Sequence, residues 1–185
     1  MYEIINQSIQ SLVTENFGEE PWHRILEKAG VPGTEYVMLK SYDDAETYRI
    51  VGAAVEVLGL PAEAILETFG KYWIGYAEQG YGDLLRFTGS NFLEFCSNLD
   101  SMHSRLKMAY PELRPPSFQC VPEENGWIAI HYRSEREGLG PIVTGKLEGS
   151  ADRMGITLEI HWEQDASDGH VVYRVLPSGP GAWLS

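Results

Sequence analysis

The chain has 185 residues, which fits one domain and is long enough to bury a sizeable hydrophobic core. Hydrophobic residues make up 43%, aromatic residues 11% and charged residues 22%, as in folded globular proteins rather than disordered ones. The formal net charge is −13, and no block of Lys and Arg offsets it. These features exclude nucleic acids and anionic membrane surfaces as expected partners.

Cysteine usage and the N-terminal segment indicate a reducing compartment. The two cysteines, Cys96 and Cys120, form neither a disulfide framework nor a CxxC pair. Residues 1–7 lack the basic and apolar regions of a signal peptide. The longest apolar runs fall well short of the ~20 residues that a membrane span needs. We therefore expect a cytoplasmic protein that does not enter the membrane.

Apolar residues at helical spacing predict that the first half of the chain is helical. The first helix runs from about Ile5 to Gly18, and a later one covers residues 44–58. Pro61 begins the next helix, which Gly80-Tyr81-Gly82 is expected to interrupt.

A further helix is predicted to begin after Ser90 and to end by Pro111. Asn91 is its expected N-cap, and Glu94, three residues later, gives a capping-box-like pattern. The apolar stripe of this helix includes His103.

From residue 115 onward the period changes from helical to alternating, which predicts strands over 117–121 and 127–132. Asn125-Gly126 is the turn signal between them. A helix over 138–154, strands over 156–162 and 170–175 joined by a turn at 165–169, and a frayed tail over 177–185 follow. Helices followed by a small antiparallel sheet predict an α+β domain.

His103 is the first candidate for chemistry. Leu99 precedes it by four residues and Leu106 follows it by three, so it lies on the buried stripe of its helix. Considered alone, a core histidine satisfied by a backbone carbonyl is the better interpretation. An apolar histidine is also what a proximal haem ligand requires, because neutral imidazole binds iron through Nε2.

Tyr132, Ser134 and Arg136 form a second candidate site. In an extended segment, alternate residues point to one face, so these three would present two hydroxyls and a guanidinium together. Such donors suit a planar anion, since Arg binds carboxylates through two parallel hydrogen bonds. The two propionates of haem are one such anion, and an ordinary surface ion pair at a strand end is the alternative.

These two candidates and the sequence around them resemble the haem nitric oxide/oxygen binding (H-NOX) domains, which include the sensor domain of soluble guanylate cyclase. Tyr132, Ser134 and Arg136 match the family's Tyr-x-Ser-x-Arg motif. Residues 98–103 look like its proximal histidine segment, with Leu113–Pro116 following. Shorter matches are Met1-Tyr2, Val51-Gly52, Pro61-Ala62-Glu63 and Phe69-Gly70-Lys71-Tyr72-Trp73.

The resemblance implies a haem held between a helical lobe (about 1–60) and an α+β lobe (about 61–176), followed by a tail (177–185). The absence of a CxxCH motif is consistent with noncovalent haem b. His103 would be the axial ligand of the iron. The other implied haem contacts are Tyr132, Ser134 and Arg136 at the propionates, Ile5 and Pro115 pressing on the porphyrin, and Met1, Leu99 and Met102.

The same resemblance implies which gas is bound. Members that bind O2 carry a distal tyrosine where this chain has Ile142, and a tryptophan where it has Ile9. With Ile5 and Trp73, these residues predict a distal pocket that is apolar except for one indole N–H. We therefore expect a five-coordinate ferrous haem that binds NO and CO but not O2 stably, as in the bacterial stand-alone, NO-selective members.

Signalling would follow from release of His103 when NO weakens its bond to iron. The sequence contains no kinase, cyclase or transporter segment, so we expect the output in a separate partner. Resemblance to stand-alone members implies a histidine kinase or a cyclic-di-GMP enzyme.

Three other interpretations stay open. The first is a haem sensor that also binds O2, or a haem enzyme acting on NO or peroxide, although the chain has no evident distal acid or base. The second is a plain interaction module without a cofactor. The third is a non-haem metal site on the strands, formed by Cys120, His131, His161 and His170.

Overall fold

The structure, a computed structural model, describes residues 3–31, 36, 40–164 and 170–179. Helices occupy the N-terminal half and an antiparallel sheet the C-terminal half, which confirms the predicted α+β class. The helices are α1 (Glu3–Phe17), α2 (Glu19–Ala29), α3 (Asp44–Leu58), α4 (Ala62–Thr88), α5 (Phe92–Ser97), α6 (Leu99–Ala109) and α7 (Gly140–Met154). The strands are β1 (Ser117–Pro122), β2 (Ile128–Arg133), β3 (Thr157–Gln164) and β4 (Val171–Ser178). Among these helices, none is both long and apolar enough to cross a membrane.

The predicted N-cap at Asn91 is present and begins α5. Its side chain accepts a hydrogen bond of 2.9 Å from the backbone N–H of Glu94. The Glu94 carboxylate in turn accepts hydrogen bonds from the backbone N–H and the hydroxyl of Ser90. This reciprocal pattern satisfies donors that the first turn of a helix leaves free.

Two predicted helix boundaries are wrong. Helix α4 passes through Gly80 and Gly82 without interruption, because packing along its length outweighs the roughly 1 kcal/mol that each glycine costs a helix. The single helix expected after Asn91 is instead two helices, α5 and α6. Asn98 separates them with φ −97° and ψ 1°, and its amide donates a hydrogen bond to the carbonyl of Thr88.

The sheet has the order β1-β2-β4-β3, and all neighbouring strands are antiparallel. The β1–β2 connection includes Asn125 at φ 60° and Gly126 at φ 86°, which agrees with the predicted turn signal.

Strand β4 continues to Ser178, so the tail expected from residue 177 begins later. The last β2 residue paired with β4 is Ile128, opposite Val175, whereas Pro177 pairs with Leu158 of β3. One side of β4 is therefore an edge at Pro177, where the missing proline N–H is tolerated. The expected turn at 165–169 and residues 180–185 lie outside the described residues.

Buried apolar residues form two clusters. One joins α1, α2, α3 and the start of α4, and the other lies between α4–α7 and the sheet. Trp73 of α4 packs against both clusters, and Ile5 and Ile142 pack against the first. The division into two lobes, expected near residue 60, stays a prediction.

Helices α4 and α7 pack with their backbones in contact, because glycines face the partner helix. A Cβ on Gly145 would overlap the carbonyl of Glu67, and one on Gly70 would overlap the carbonyl of Ile142. A Cβ on Gly149 would lie 2.9 Å from the carbonyl oxygen of Lys71. This close approach fixes the relative position of every side chain that the two helices direct into the interior.

We predict that Gly145→Ala lowers the free energy of unfolding by about 1–3 kcal/mol, since the added methyl group must push α4 and α7 apart. Gly52→Ala in α3 is the matched control, because its Cβ would meet nothing within 4 Å. Alanine is favoured over glycine inside a helix, so this control is expected to gain roughly 0.5–1 kcal/mol. Urea unfolding of the three proteins measures both effects, and equal stability of the two variants would contradict close packing at Gly145.

Candidate haem-binding site

His103 lies on α6 with its ring inside the protein. Leu99 and Met102, from the same helix, are each 8% exposed. The Phe118 ring of β1 lies 5.9 Å from the imidazole, measured between ring centroids. Burial lowers the pKa of His103 to about 4, and the positive charge of Lys146 acts in the same direction. The imidazole is therefore neutral at physiological pH, which is the form that binds a metal.

The Nδ1 atom of His103 is buried and makes no hydrogen bond of ordinary geometry with any described residue. The Pro116 carbonyl and Asp100 act to raise the pKa, yet they do not offset burial. A histidine kept only for packing normally satisfies its ring nitrogens, because an unpartnered buried polar atom costs about 1–3 kcal/mol. The Pro116 carbonyl is the kind of acceptor expected for a core histidine, so the interpretation as a metal ligand depends instead on Nε2, the nitrogen that binds iron.

Tyr132, Ser134 and Arg136 come together, but not through one extended strand as expected. Strand β2 ends at Arg133, and the chain then bends, so that the N–H of Arg136 donates to the Ser134 hydroxyl at 3.0 Å. The same hydroxyl hydrogen-bonds with the phenol of Tyr132. The bend places the Arg136 guanidinium toward α3, whereas a straight strand would have directed it along the face of the sheet.

The Arg136 guanidinium already binds a carboxylate. Its Nε and Nη2 donate to the two carboxylate oxygens of Asp44 at 2.7 and 3.3 Å, and its Nη1 donates to the Arg114 carbonyl at 2.7 Å. The hydrogen bonds and charge of Arg136 lower the pKa of Asp44, although burial opposes them. These contacts use three of the five guanidinium N–H groups, so two remain for another acceptor. The sequence did not single out Asp44, which lies 92 positions before Arg136.

The predicted distal residues lie where α1, α4 and α7 meet. Ile9 is 6% exposed, and Ile5, Trp73 and Ile142 pack around the same cluster. The indole N–H of Trp73 is buried without a hydrogen-bond partner among the described residues. Pro115, another predicted haem contact, is partly buried between α6 and β1, whereas Met1 lies outside the described residues.

The expectation of a pocket that is apolar except for Trp73 is incomplete, because Lys146 also enters it. The Lys146 Nζ lies 4.2 Å from the centroid of the Trp73 ring. The residue keeps some accessible surface, while the protein around its amine lowers its pKa to about 8. One signal in the sequence could have revealed it, since Lys146 follows Ile142 by four residues and so shares its helix face.

The strand residues proposed for a non-haem metal site do not form one. His131 Nδ1 lies 3.1 Å from His170 Nε2, but His161 instead contacts Glu159, and Cys120 instead contacts the buried Cys96. Within the described ranges, no group of three or more His, Cys, Asp or Glu residues is arranged to hold a metal ion.

Comparisons with protein families, curated proteins and solved structures each find proteins similar to this chain. The family model described as haem-NO-binding matches residues 2–162. Soluble guanylate cyclase gcy-35 of Caenorhabditis elegans is 34% identical over 175 residues, covering 92% of this chain and 25% of that protein. Soluble guanylate cyclase gcy-32 of the same organism is 35% identical over 191 residues, covering 95% and 28%. This chain therefore spans about a quarter of the length of these relatives.

Solved structures show the same fold. The H-NOX protein from S. oneidensis in the Fe(II)NO ligation state has a TM-score of 0.87 to this chain at 23% sequence identity, covering 97% of this chain and 100% of that one. Helices packed on a four-stranded antiparallel sheet define an α+β domain. The chain belongs to the haem-NO-binding (H-NOX) family, whose members are haem gas-sensor domains.

We predict that Arg136→Met lowers the free energy of unfolding of the haem-free protein by about 1–3 kcal/mol, because Asp44 loses two charge-assisted hydrogen bonds. Lys28→Met is the control, since it removes an exposed ion pair with Glu56, for which we expect less than about 1 kcal/mol. Urea unfolding compares the two variants. An Arg136 variant no less stable than the Lys28 variant would show that the Asp44 contact contributes little.

Proposed function

We propose that this chain binds noncovalent haem b through His103, senses NO and CO, and passes the signal to a separate partner protein. The observation that supports this most directly is the neutral, largely buried imidazole of His103 on α6, in a chain that matches the haem-NO-binding family model over residues 2–162. When bound, haem would supply an iron atom that can bind a histidine nitrogen and a diatomic gas.

The residues of this chain fit such a group. His103 would hold the iron, and Tyr132, Ser134 and Arg136 would bind the two propionates through hydroxyl and guanidinium donors. The contact between Arg136 and Asp44 supports this role, because it shows a guanidinium placed to bind a carboxylate with N–H groups to spare. Apolar contacts to the porphyrin are proposed for Ile5, Leu99, Met102, Pro115 and Met1.

Release of His103 would be transmitted through α6. The Asp100 carboxylate of this helix accepts a hydrogen bond of 2.7 Å from the Phe118 N–H of β1. The Phe118 ring also packs on His103 and on Tyr132. The centroids of the Phe118 and Tyr132 rings are 5.4 Å apart. A displacement of α6 would therefore reach the sheet through one hydrogen bond and one aromatic contact.

The receiving protein is proposed from resemblance rather than from a surface of this chain. The matched relatives are named as soluble guanylate cyclases, and this chain spans only about a quarter of them. We propose that the chain acts in the cytoplasm as a sensor without catalytic activity of its own. A histidine kinase or a cyclic-di-GMP enzyme is the proposed partner, and NO-dependent change in the activity of such an enzyme on mixing would test it.

The experiment that tests haem binding is absorption spectroscopy of the reduced, haem-supplemented protein with and without NO, CO and air. We expect a Soret band that shifts with NO and with CO. His103→Gly should lose the histidine-ligated spectrum, because no other ligand is proposed for the iron.

His23→Gly is the matched control for this substitution. His23 is also a helical residue, it is exposed, and it pairs with Glu19 on the surface of α2. Its spectrum should equal that of the wild type. No Soret band after haem supplementation would refute haem binding, and an unchanged spectrum in His103→Gly would assign the iron to another residue.

A further inference from the structure

Lys146 is a partly buried cation that none of the roles described so far requires. It lies on α7 between Gly145 and Leu147, whose neighbourhood is packed against α4. Its amine makes no salt bridge or hydrogen bond with any residue that the structure describes, and desolvation lowers its pKa to about 8. An unpaired amine at such a position can donate hydrogen bonds to a ligand with a negative or partly negative charge.

Packing fixes the position of this amine. The Trp73 ring lies beneath Nζ at 4.2 Å, which is within the range of a cation–π contact. Trp73 belongs to α4, and the glycine contacts described above hold α4 and α7 at backbone distance. The amine is therefore held by two helices that cannot easily separate.

Lys146 follows Ile142 by four residues, so the two side chains share a face of α7. Ile142 packs against the N-terminal cluster that contains Ile9, and Trp73 packs against that cluster as well. The amine therefore lies beside Trp73 and one turn from Ile142, two residues that the resemblance places near a bound gas.

The amine is not part of the group that would bind propionates. The pKa values of Tyr132 and Asp44 respond to Arg136, and Lys146 is not among the groups that shift either of them. Arg136, and not Lys146, is therefore the cation proposed for the propionates.

We infer that Lys146 is a gas-specificity residue, whose amine would donate a hydrogen bond to a diatomic ligand held by the haem. This inference rests on the proposed haem binding. Among the diatomic gases, O2 carries the most negative charge when bound to ferrous haem and gains most from such a donor, whereas NO and CO need it far less. The amine carries N–H groups whether or not it is protonated, so the donor is present throughout the physiological pH range.

A donor at Lys146 changes the expectation that the protein excludes O2. That expectation depended on a pocket without a donor other than the Trp73 indole. With Lys146 present, the chain has a donor for O2 although Ile142 replaces the distal tyrosine. We therefore expect O2 to be held longer than in a pocket lined only by isoleucines.

The test uses Lys146→Met, which keeps the length of the side chain and removes its donors. The O2 dissociation rate of the ferrous haem-loaded protein is measured by flash photolysis, and the C–O stretching frequency of its CO complex by infrared spectroscopy. We expect O2 to dissociate about ten to a hundred times faster from the variant, since one hydrogen bond from a charged group is lost. The C–O stretch should rise, because a nearby positive donor lowers it.

Two further variants make the result specific. Lys71→Met changes the net charge equally on the adjoining helix, but its ammonium is half exposed and pairs with Asp152 at 2.8 Å. Both readouts should match the wild type in Lys71→Met. Lys146→Gln keeps N–H donors without the charge and should fall between wild type and Lys146→Met.

Each of the other possible results contradicts one part of the proposal. If Lys146→Met and Lys71→Met give the same O2 rate and C–O frequency, Lys146 does not donate to the gas. A wild-type spectrum without gas that is six-coordinate, and five-coordinate in Lys146→Met, would show that the amine binds the iron instead. If neither the wild type nor any variant shows a Soret band, the proposed haem binding itself fails. A Soret band in Lys146→Met shows that haem is bound, so the O2 rate and the C–O frequency then test Lys146 alone.

Discussion

The contact between the backbones of α4 and α7 is the constraint on which the rest of the site depends. Gly70, Gly145 and Gly149 allow it, and the ion pairs Lys71–Asp152 and Arg153–Glu78 flank it on the surface. Because protein interiors are close-packed, two helices at this distance behave as one rigid unit. That unit carries Trp73, Ile142 and Lys146 into the pocket. It also joins the two apolar clusters, since Trp73 contacts both. Any movement of α6 that follows a change at His103 therefore occurs relative to α4 and α7, which keep their positions.

The position of Arg136, which is proposed to bind the haem propionates, depends on an ion pair instead of backbone packing. Arg136 joins α3 to the segment after β2 through Asp44, and two of its guanidinium N–H groups are used by neither Asp44 nor the Arg114 carbonyl. A second carboxylate could therefore bind there without first removing Asp44. The cost of ordering the long arginine side chain is already met within the haem-free fold. Preorganisation of this kind favours binding of haem propionates more than a freely moving arginine would.

Much of this arrangement could be predicted from the sequence, and the parts that could not have a common cause. Helical and alternating periods predicted the α+β class, and the Asn91 cap predicted where α5 begins. Local patterns failed where distant residues decide the outcome: α4 continues through Gly80 because of its tertiary packing, and Arg136 turns away from the strand toward Asp44. Lys146 was missed for a related reason, because a lysine in a helix is usually exposed and only the packing of α4 places this one inside. The apolar surroundings of His103, in contrast, could be predicted, because Leu99 lies one helical turn before it on the same helix face.

Desolvation of the Lys146 amine reduces the stability of the haem-free protein. Its pKa falls from 10.5 to about 8, which corresponds to roughly 3 kcal/mol in favour of the neutral form. Since the unfolded chain keeps the ordinary pKa, this cost is fully present below pH 8 and disappears as the pH rises past 10.5. A leucine or methionine in the same place would pack beside Trp73 without that cost. Residues that lower stability where an apolar side chain would fit are expected at functional positions rather than in structural cores. The energetics of Lys146 thus agree with its geometry in assigning it to the ligand rather than to the fold.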